Sequence, residues 1–170
     1  IYWLAMLMSA QLPLPDRVFG HGLLTKDGLK MGKTLGNTID PYDLVDRYGA
    51  DPIRYYFLKE IEFGKDGDFN EERFIAIVNA DLANSLGNLL NRSLGMANKY
   101  CQKLIPNYDP HDPSDICELT NPVIAQAQTL GDLVATDYQN LNFRAASEKV
   151  LELIWNCNKL IDDTAPWKQF

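Results

Sequence analysis

Helical periodicity in the C-terminal part most strongly limits what this chain can fold into. From Asn70 onward, apolar residues recur every three to four positions, a spacing that predicts amphipathic helices. We expect helices near 71–104, 121–140 and 142–164. The last carries apolar residues throughout: Phe143, Ala146, Val150, Leu153, Cys157, Leu160 and Ile161. A helix bundle is therefore predicted, and its pattern looks incomplete at the C-terminal end.

The N-terminal part has a different pattern. Residues 1–11 are apolar and predict a buried helix, which the proline-rich segment 12–16 ends. Residues 17–24 are a short apolar run containing glycines, which is typical of a buried strand. Residues 25–38 predict a polar, glycine-bearing loop. An α/β part thus precedes the helical part, and the chain divides near residue 70.

Acceptor side chains placed just before a proline predict three helix starts: Asp40-Pro41, Asp51-Pro52 and Asn121-Pro122. The acceptor can cap free backbone N–H groups, and the proline sits where its missing N–H costs nothing. Asn70 predicts a fourth start, because two glutamates follow it and acids in the first turn suit the helix dipole. Three prolines over 105–118 predict a long acidic loop instead.

Composition excludes several classes of protein. The net charge of −7 argues against a sequence-blind nucleic-acid binder, so no DNA partner is predicted. No apolar stretch reaches the ~20 residues of a membrane span, so no membrane partner is predicted either. The three cysteines form no Cys-x-x-Cys pair, which indicates neither a disulfide framework nor a structural zinc site, and no metal ligands are predicted. A reduced compartment is favoured.

The start of the chain is apolar but carries no initiating methionine and no basic leader. A signal peptide would have both. We therefore interpret residues 1–11 as a segment from inside a longer protein.

The densest chemical signal is the segment Lys30-Met31-Gly32-Lys33-Thr34. Two lysines stand three positions apart in a loop with three glycines, which let a backbone approach a ligand closely. Paired ammonium groups can neutralise the charge that develops when pyrophosphate leaves. The spacing is not that of a P-loop. A solvated surface loop is the commoner cause of such a pattern, so the residues alone leave both interpretations open.

A second signal lies on the helix predicted over 71–104. On a 100° helical wheel, one side is predicted to pack inward: Leu82, Leu86, Leu89, Leu90, Ser93 and Ala97. The other side carries a polar stripe: Asn84, Asn88, Asn91, Arg92 and Lys99. Amides have both donors and acceptors, which suits reading the edges of unstacked bases. A plain polar surface, or amides that bond a neighbouring helix, is the commoner explanation from pattern alone.

The lysine segment resembles the Lys-Met-Ser-Lys-Ser signature of class I aminoacyl-tRNA synthetases, and the following Leu35-Gly36-Asn37 and Asp40-Pro41 match as well. Residues 48–58 and 63–69 are similar to methionyl-tRNA synthetases, in a stretch that the isoleucine, leucine and valine enzymes do not share. The resemblance covers essentially the whole chain. It departs from the signature at Gly32 and Thr34, where the family has serines.

The resemblance implies a mixed, mostly α fold. Residues 1–69 would be the end of a Rossmann-like catalytic domain, with the lysine-signature loop and a stem-contact segment. Residues 70–170 would be a helical anticodon-binding domain, incomplete at its C-terminus. The family's His-Ile-Gly-His signature is absent, so the chain is expected to be a C-terminal fragment.

The resemblance also implies a methionine–tRNA ligase that uses L-methionine, ATP with Mg²⁺ and tRNA(Met). Lys30 and Lys33 would be catalytic, Lys33 above all, and the nucleotide would be bound by Lys30, Met31, Gly32, Lys33 and Thr34. Trp3 would line the methionine pocket, although core packing explains it equally well; for His21 a structural role is favoured. The anticodon would be read by Asn84, Asn88, Asn91, Arg92, Pro166 and Trp167.

Two other functions remain open at this stage. They are a helical tRNA-binding module without catalysis and another class I synthetase, specific for isoleucine, leucine, valine or cysteine. Retention of Lys30 and Lys33 argues against the module. A bacterial-type enzyme would be cytoplasmic in a bacterium or would lie in a chloroplast or mitochondrion.

Overall fold

The computed structural model describes residues 1–104 and 121–168, and these are mostly helical with one small sheet. In chain order the elements are α1 (Tyr2–Ser9), β1 (Leu24–Lys26), β2 (Leu29–Lys30), a 3₁₀ helix (Lys33–Leu35), α2 (Pro41–Tyr48), α3 (Ala50–Glu60), β3 (Gly67–Phe69), α4 (Glu71–Ile77), a π-helical segment (Val78–Gly87), α5 (Asn88–Tyr100), α6 (Asn121–Gln139), α7 (Phe143–Thr164) and a second 3₁₀ helix (Pro166–Lys168). No helix in this described part has the length and apolar character that crossing a bilayer requires.

The sheet has the strand order β2-β1-β3. β1 and β2 form an antiparallel hairpin, and β3 lies parallel to β1. The hairpin turn is Asp27-Gly28, with φ values of 52° and 73°, as a type I′ turn requires. The loop predicted over 25–38 is therefore wrong in its first half. Strands of three and two residues are too short to show an alternating pattern in the sequence.

Two predictions for the N-terminal part are wrong. The predicted buried helix is α1, and none of its residues is buried. An apolar helix is buried only where other elements cover it, and the described elements leave α1 largely open. The strand predicted over 17–24 begins only at Leu24. Just before it, the backbone of Gly22 lies so close to Lys65 that an added Cβ would stand 2.0 Å from the Lys65 carbonyl oxygen.

The main core lies where α2, α3 and α4 meet β3. Its buried residues are Leu44, Ile53, Tyr56, Phe69 and Phe74. The Tyr56 ring packs edge-on against Phe69 and Phe74, with centroids 5.6 and 5.4 Å away. Burying a side chain of this size contributes about 1.5–3 kcal/mol. The cluster therefore fixes β3, and with it the hairpin, on the helices.

Two of the four predicted helix starts are confirmed by cap hydrogen bonds. Asp40 and Asn70 each accept a bond from a backbone N–H of the first turn, at 2.8 and 2.9 Å. The prediction for Asp51 is wrong, because α3 already begins at Ala50, so that Asp51 lies inside the first turn. Two further predictions lie outside what the structure describes: the Asn121 side-chain cap and the acidic loop over 105–118.

The helix predicted over 71–104 is continuous only to Tyr100 and is not uniform. α4 passes into a π-helical segment of ten residues, and this passes into α5. The wheel assumed 100° per residue, so the π-helical segment shifts its phase. Inward packing is consequently wrong for three exposed residues, Leu86, Leu90 and Ser93, while three are half-buried: Leu82, Leu89 and Ala97.

The other two helix predictions are confirmed by α6 and α7. α7 is the central helix of the C-terminal part and packs against α6, α3, α5 and the π-helical segment. Its buried residues are Ala146, Leu151 and Ile154. Because α3 contacts α7, packing continues across the division predicted near residue 70.

Candidate functional site

The lysine loop, residues 30–37, extends from the short edge strand β2. Lys30 is the last residue of β2, and Lys33 is the first residue of the 3₁₀ helix. Both side chains are exposed. In the described ranges neither ammonium group forms an ion pair with a carboxylate. Two positive charges are thus available to a polyanionic ligand.

Asn37 closes this loop on itself. Its Oδ1 accepts a hydrogen bond from the Gly32 N–H at 2.9 Å, and its Nδ2 donates to the Lys30 carbonyl at 3.2 Å. Gly36, at φ 63°, takes the left-handed conformation that turns the chain back. The backbone between the lysines is therefore held by one side chain. Sequence analysis assigned Asn37 no role, because such a contact leaves no periodic signal.

Gly32 occupies the position of the signature serine. Its backbone is extended, with φ −153° and ψ 137°. An added Cβ would meet only the Leu35 Cδ1, at 3.9 Å. The local structure therefore neither requires glycine nor excludes serine at this position.

Two side chains from the β3 region hold the turn end of the hairpin. Asp68 Oδ1 accepts hydrogen bonds from the Thr25 hydroxyl at 2.5 Å and from the Gly28 N–H at 2.8 Å. Asn70 Nδ2 donates to Asp27 Oδ1 at 2.8 Å. Since Asn70 also caps α4, the hairpin that carries the lysine loop is tied to the start of the long helix.

The structure does not join Trp3 or His21 to the lysine loop through any hydrogen bond or ring contact of the described residues. Trp3 lies on α1 and is 59% exposed. His21 Nδ1 lies 2.9 Å from the Gly22 carbonyl oxygen, at the edge of a 390 Å³ apolar pocket that includes Phe57 and Phe143. A methionine pocket at Trp3 stays a prediction.

The polar stripe of the long helix divides into two kinds of group. The amides of Asn84, Asn88 and Asn91 are exposed along the π-helical segment and α5. Arg92 is half-buried, and its Nη2 donates to Asp162 Oδ1 on α7 at 2.5 Å. The guanidinium is thus held by a carboxylate that lies 70 positions further along the chain.

Trp167 lies beside Arg92. α7 ends at Thr164, and the following residue Ala165, with a φ of 42°, turns the chain into the second 3₁₀ helix, Pro166–Lys168. This turn brings the Trp167 ring centroid within 5.9 Å of the guanidinium carbon and leaves the ring 43% exposed. Lys99 completes the rim of a 220 Å³ pocket between them. Positive charge and an exposed aromatic face therefore meet at one point.

An ion-paired cluster connects α2, which follows the lysine loop, to α4, which precedes the polar stripe. Arg47 and Tyr48, at the end of α2, both donate hydrogen bonds to Glu71 at the start of α4. The bond from Tyr48, with that from Arg47, lowers the pKa of Glu71 below its ordinary 4.5, and the same bond raises the pKa of the Tyr48 hydroxyl. No group of three or more His, Cys, Asp or Glu residues placed to hold a metal ion occurs among the described residues.

Comparison with known proteins supplies the class. The family described as "tRNA synthetases class I (M)" matches residues 1–94, more than half of the chain. The chain therefore belongs to this family of class I tRNA synthetases.

Three similar proteins carry names that specify methionine. The chain is 59% identical over all 170 residues to the methionine–tRNA ligase of Synechocystis sp., and 49% identical to the chloroplastic/mitochondrial methionine–tRNA ligase of Arabidopsis thaliana. Among solved structures, methionyl-tRNA synthetase of Mycobacterium tuberculosis in complex with methionyl-adenylate matches 98% of the chain, with a TM-score of 0.87 and 36% identity. The chain spans 31%, 27% and 32% of the lengths of these three proteins.

Proposed function

We propose that this chain is part of a methionine–tRNA ligase, an enzyme that activates L-methionine with ATP and transfers it to tRNA(Met). The observation that carries the proposal is the 59% identity, over the full 170 residues, to a methionine–tRNA ligase. The relatives include cyanobacterial and chloroplastic or mitochondrial enzymes, which supports a bacterial cytoplasm or an organelle as the proposed compartment.

In the first step, the methionine carboxylate attacks the α-phosphate of ATP, methionyl-adenylate forms and pyrophosphate leaves. Lys30 and Lys33 neutralise the negative charge that builds up on the phosphates. Met31, Gly32 and Thr34 supply further contacts to ATP. Mg²⁺ accompanies the phosphates, and no described residue is assigned to it. The exposure of both lysines and the light backbone restraint by Asn37 support a lid that closes over the nucleotide.

In the second step, the terminal ribose of tRNA(Met) takes the methionyl group and AMP leaves. The helical part, residues 70–170, would bind the anticodon, while residues 1–69 would end the Rossmann-like catalytic domain. Asn84, Asn88 and Asn91 offer free donors and acceptors to base edges. Arg92 and the Pro166-Trp167 pair offer a charge and a stacking surface, and stacking on Trp contributes roughly 1–3 kcal/mol per base.

The test is amino-acid-dependent ATP–pyrophosphate exchange by the full-length parent enzyme. We expect methionine to support exchange at least about 10-fold better than isoleucine, leucine, valine or cysteine, the discrimination that one or two methylene groups allow. A preference for one of the other four amino acids would show that the enzyme is specific for that amino acid and not for methionine. Binding of tRNA(Met) without any exchange would reduce it to a tRNA-binding module.

A further inference from the structure

A buried ion pair lies beneath the π-helical segment, apart from the groups proposed to touch substrate. Asp81 is 6% exposed, and its carboxylate accepts hydrogen bonds from the Tyr55 hydroxyl, at 2.8 Å, and from the Lys59 ammonium. Tyr55 and Lys59 are one turn apart on α3. A buried charge is well tolerated when paired and strongly destabilising when a partner is lost. The contact therefore fixes the π-helical segment to α3.

The same segment is held on another side by α7. Trp155 Nε1 donates to the Ser85 hydroxyl at 3.0 Å, and Asn158 Nδ2 donates to the Ser85 carbonyl at 3.2 Å. Asn84 stands between the two anchors in sequence, and Asn88 begins α5 directly after the segment. The two amides are thus carried by a stretch that is fixed from two helices.

The rotation of this stretch is not set by ordinary helix geometry. A π-helix makes i→i+5 hydrogen bonds and is rare, so tertiary contacts must determine where it begins and ends. We infer that Asp81 is a positioning residue for anticodon recognition: by pairing with Lys59 and Tyr55 it fixes the rotation of the π-helical segment and so the direction of the Asn84 and Asn88 amides. The inference rests on the proposed function and adds to it a residue that touches no substrate.

The first test is Asp81→Asn in the full-length enzyme, which keeps the side-chain shape and removes the charge. We expect the KM for tRNA(Met) in aminoacylation to rise about tenfold, equivalent to ~1.4 kcal/mol. Methionine-dependent ATP–pyrophosphate exchange should stay within about twofold, because the lysine loop is unchanged. Tyr55→Phe removes one donor without leaving a buried charge unpaired, so it should fold normally and raise the same KM by a smaller factor.

The matched control is Asp137→Asn. Asp137 is 8% exposed and pairs with Lys149, but it joins α6 to α7 and not α3 to the π-helical segment. We expect a drop in Tm comparable to that of Asp81→Asn with no change in the KM for tRNA(Met). An equal rise in KM in both variants would overturn the inference, because it would trace the effect to stability alone.

Combining Asp81→Asn with Asn88→Ala separates the positioning role of Asp81 from the anticodon-binding role of the amides. If Asp81 acts through the amides, Asp81→Asn should add no more than about twofold to the KM of an Asn88→Ala enzyme. A silent Asn88→Ala would refute the anticodon face itself. If Asn88→Ala raises the KM for tRNA(Met), but Asp81→Asn either leaves this KM unchanged or multiplies it by the same factor in both backgrounds, only the positioning role is refuted.

Discussion

The lysine loop is held by one asparagine and a two-residue strand, whereas the amide face is held by side chains from two helices. A loop that encloses a nucleotide and then releases product must open in every turnover, and few contacts suit that task. A row of groups that reads bases must keep its geometry, and buried, paired contacts suit that task. On the proposed function, one chain of ordinary composition would provide both.

The largest effect is expected from removing a charge from the lysine loop. Lys33→Ala in the full-length enzyme should lower the rate of ATP–pyrophosphate exchange by about 10²-fold or more, since it removes a charge that acts in the transition state. Lys65→Ala is the matched control, because among the described residues Lys65 forms an ion pair only with Glu62, at the surface. Equal exchange rates in the Lys33 variant and wild type would remove the catalytic assignment.

The next effect should appear only at the other region. Trp167→Ala should raise the KM for tRNA(Met) by about tenfold, as expected for loss of one stacked base, and leave adenylate formation almost unchanged. Tyr42→Ala removes another exposed aromatic ring and serves as the control. A parallel fall in both reactions would show that Trp167 is structural and that the two regions are not separable.

A smaller effect concerns the backbone of the loop. Asn37→Ala removes two hydrogen bonds, each contributing about 0.5–1.5 kcal/mol. We expect exchange to slow several-fold while Tm changes little, because the loop lies outside the core. Asn98→Ala, an exposed amide on α5, should change neither quantity. An Asn37 variant with unaltered exchange would mean that the loop needs no internal restraint.

Restoring the family serine should have less effect still. Gly32→Ser fits the extended backbone without a clash, so Tm should stay constant. We expect exchange to change by no more than about threefold, since both ammonium groups remain and electrostatics dominates the step. Thermal unfolding and exchange on the same preparation give both numbers. A large loss of exchange would show that the glycine is adapted to the motion of this loop.

The smallest effect lies at the junction of the two regions. The pKa of Glu71 is lowered in the folded chain, so its contribution to stability is present above its ordinary pKa of 4.5 and is lost as the pH falls through the folded-state pKa. Glu71→Gln should therefore lower Tm by at most a few degrees near pH 7, and this difference should shrink as the pH falls through the folded-state pKa of Glu71. Glu72→Gln, at the adjacent exposed position, is the control. A Tm difference that is independent of pH would contradict the ionic origin.

Much of this architecture follows from local signals. Periodicity predicts α6 and α7. The acceptor side chains of Asp40 and Asn70 correctly mark the starts of α2 and α4. The Asp27-Gly28 turn was also present as a dipeptide typical of hairpins. It was missed because strands of two or three residues show no alternation.

The rest depends on contacts between distant positions. Nothing in the sequence marks Asp81 as a positioning residue, because its partners Tyr55 and Lys59 lie on another helix. The pairing of Arg92 with Asp162 is equally remote. The π-helical segment has no composition that sets it apart from an α-helix, so the wheel that assumed uniform geometry misassigned Leu86 and Leu90. Roles that arise from tertiary contacts of this kind leave no mark in a linear pattern.

The edge position of β2 has a consequence for how such an enzyme can adapt. β2 pairs with β1 alone, so peeling it away leaves the β1–β3 pairing and the aromatic core intact. Motion of the proposed lid would therefore be uncoupled from unfolding of the rest of the described fold. On the proposed function, substitutions between the hairpin turn and Asn37 would change turnover without a matching change in heat resistance.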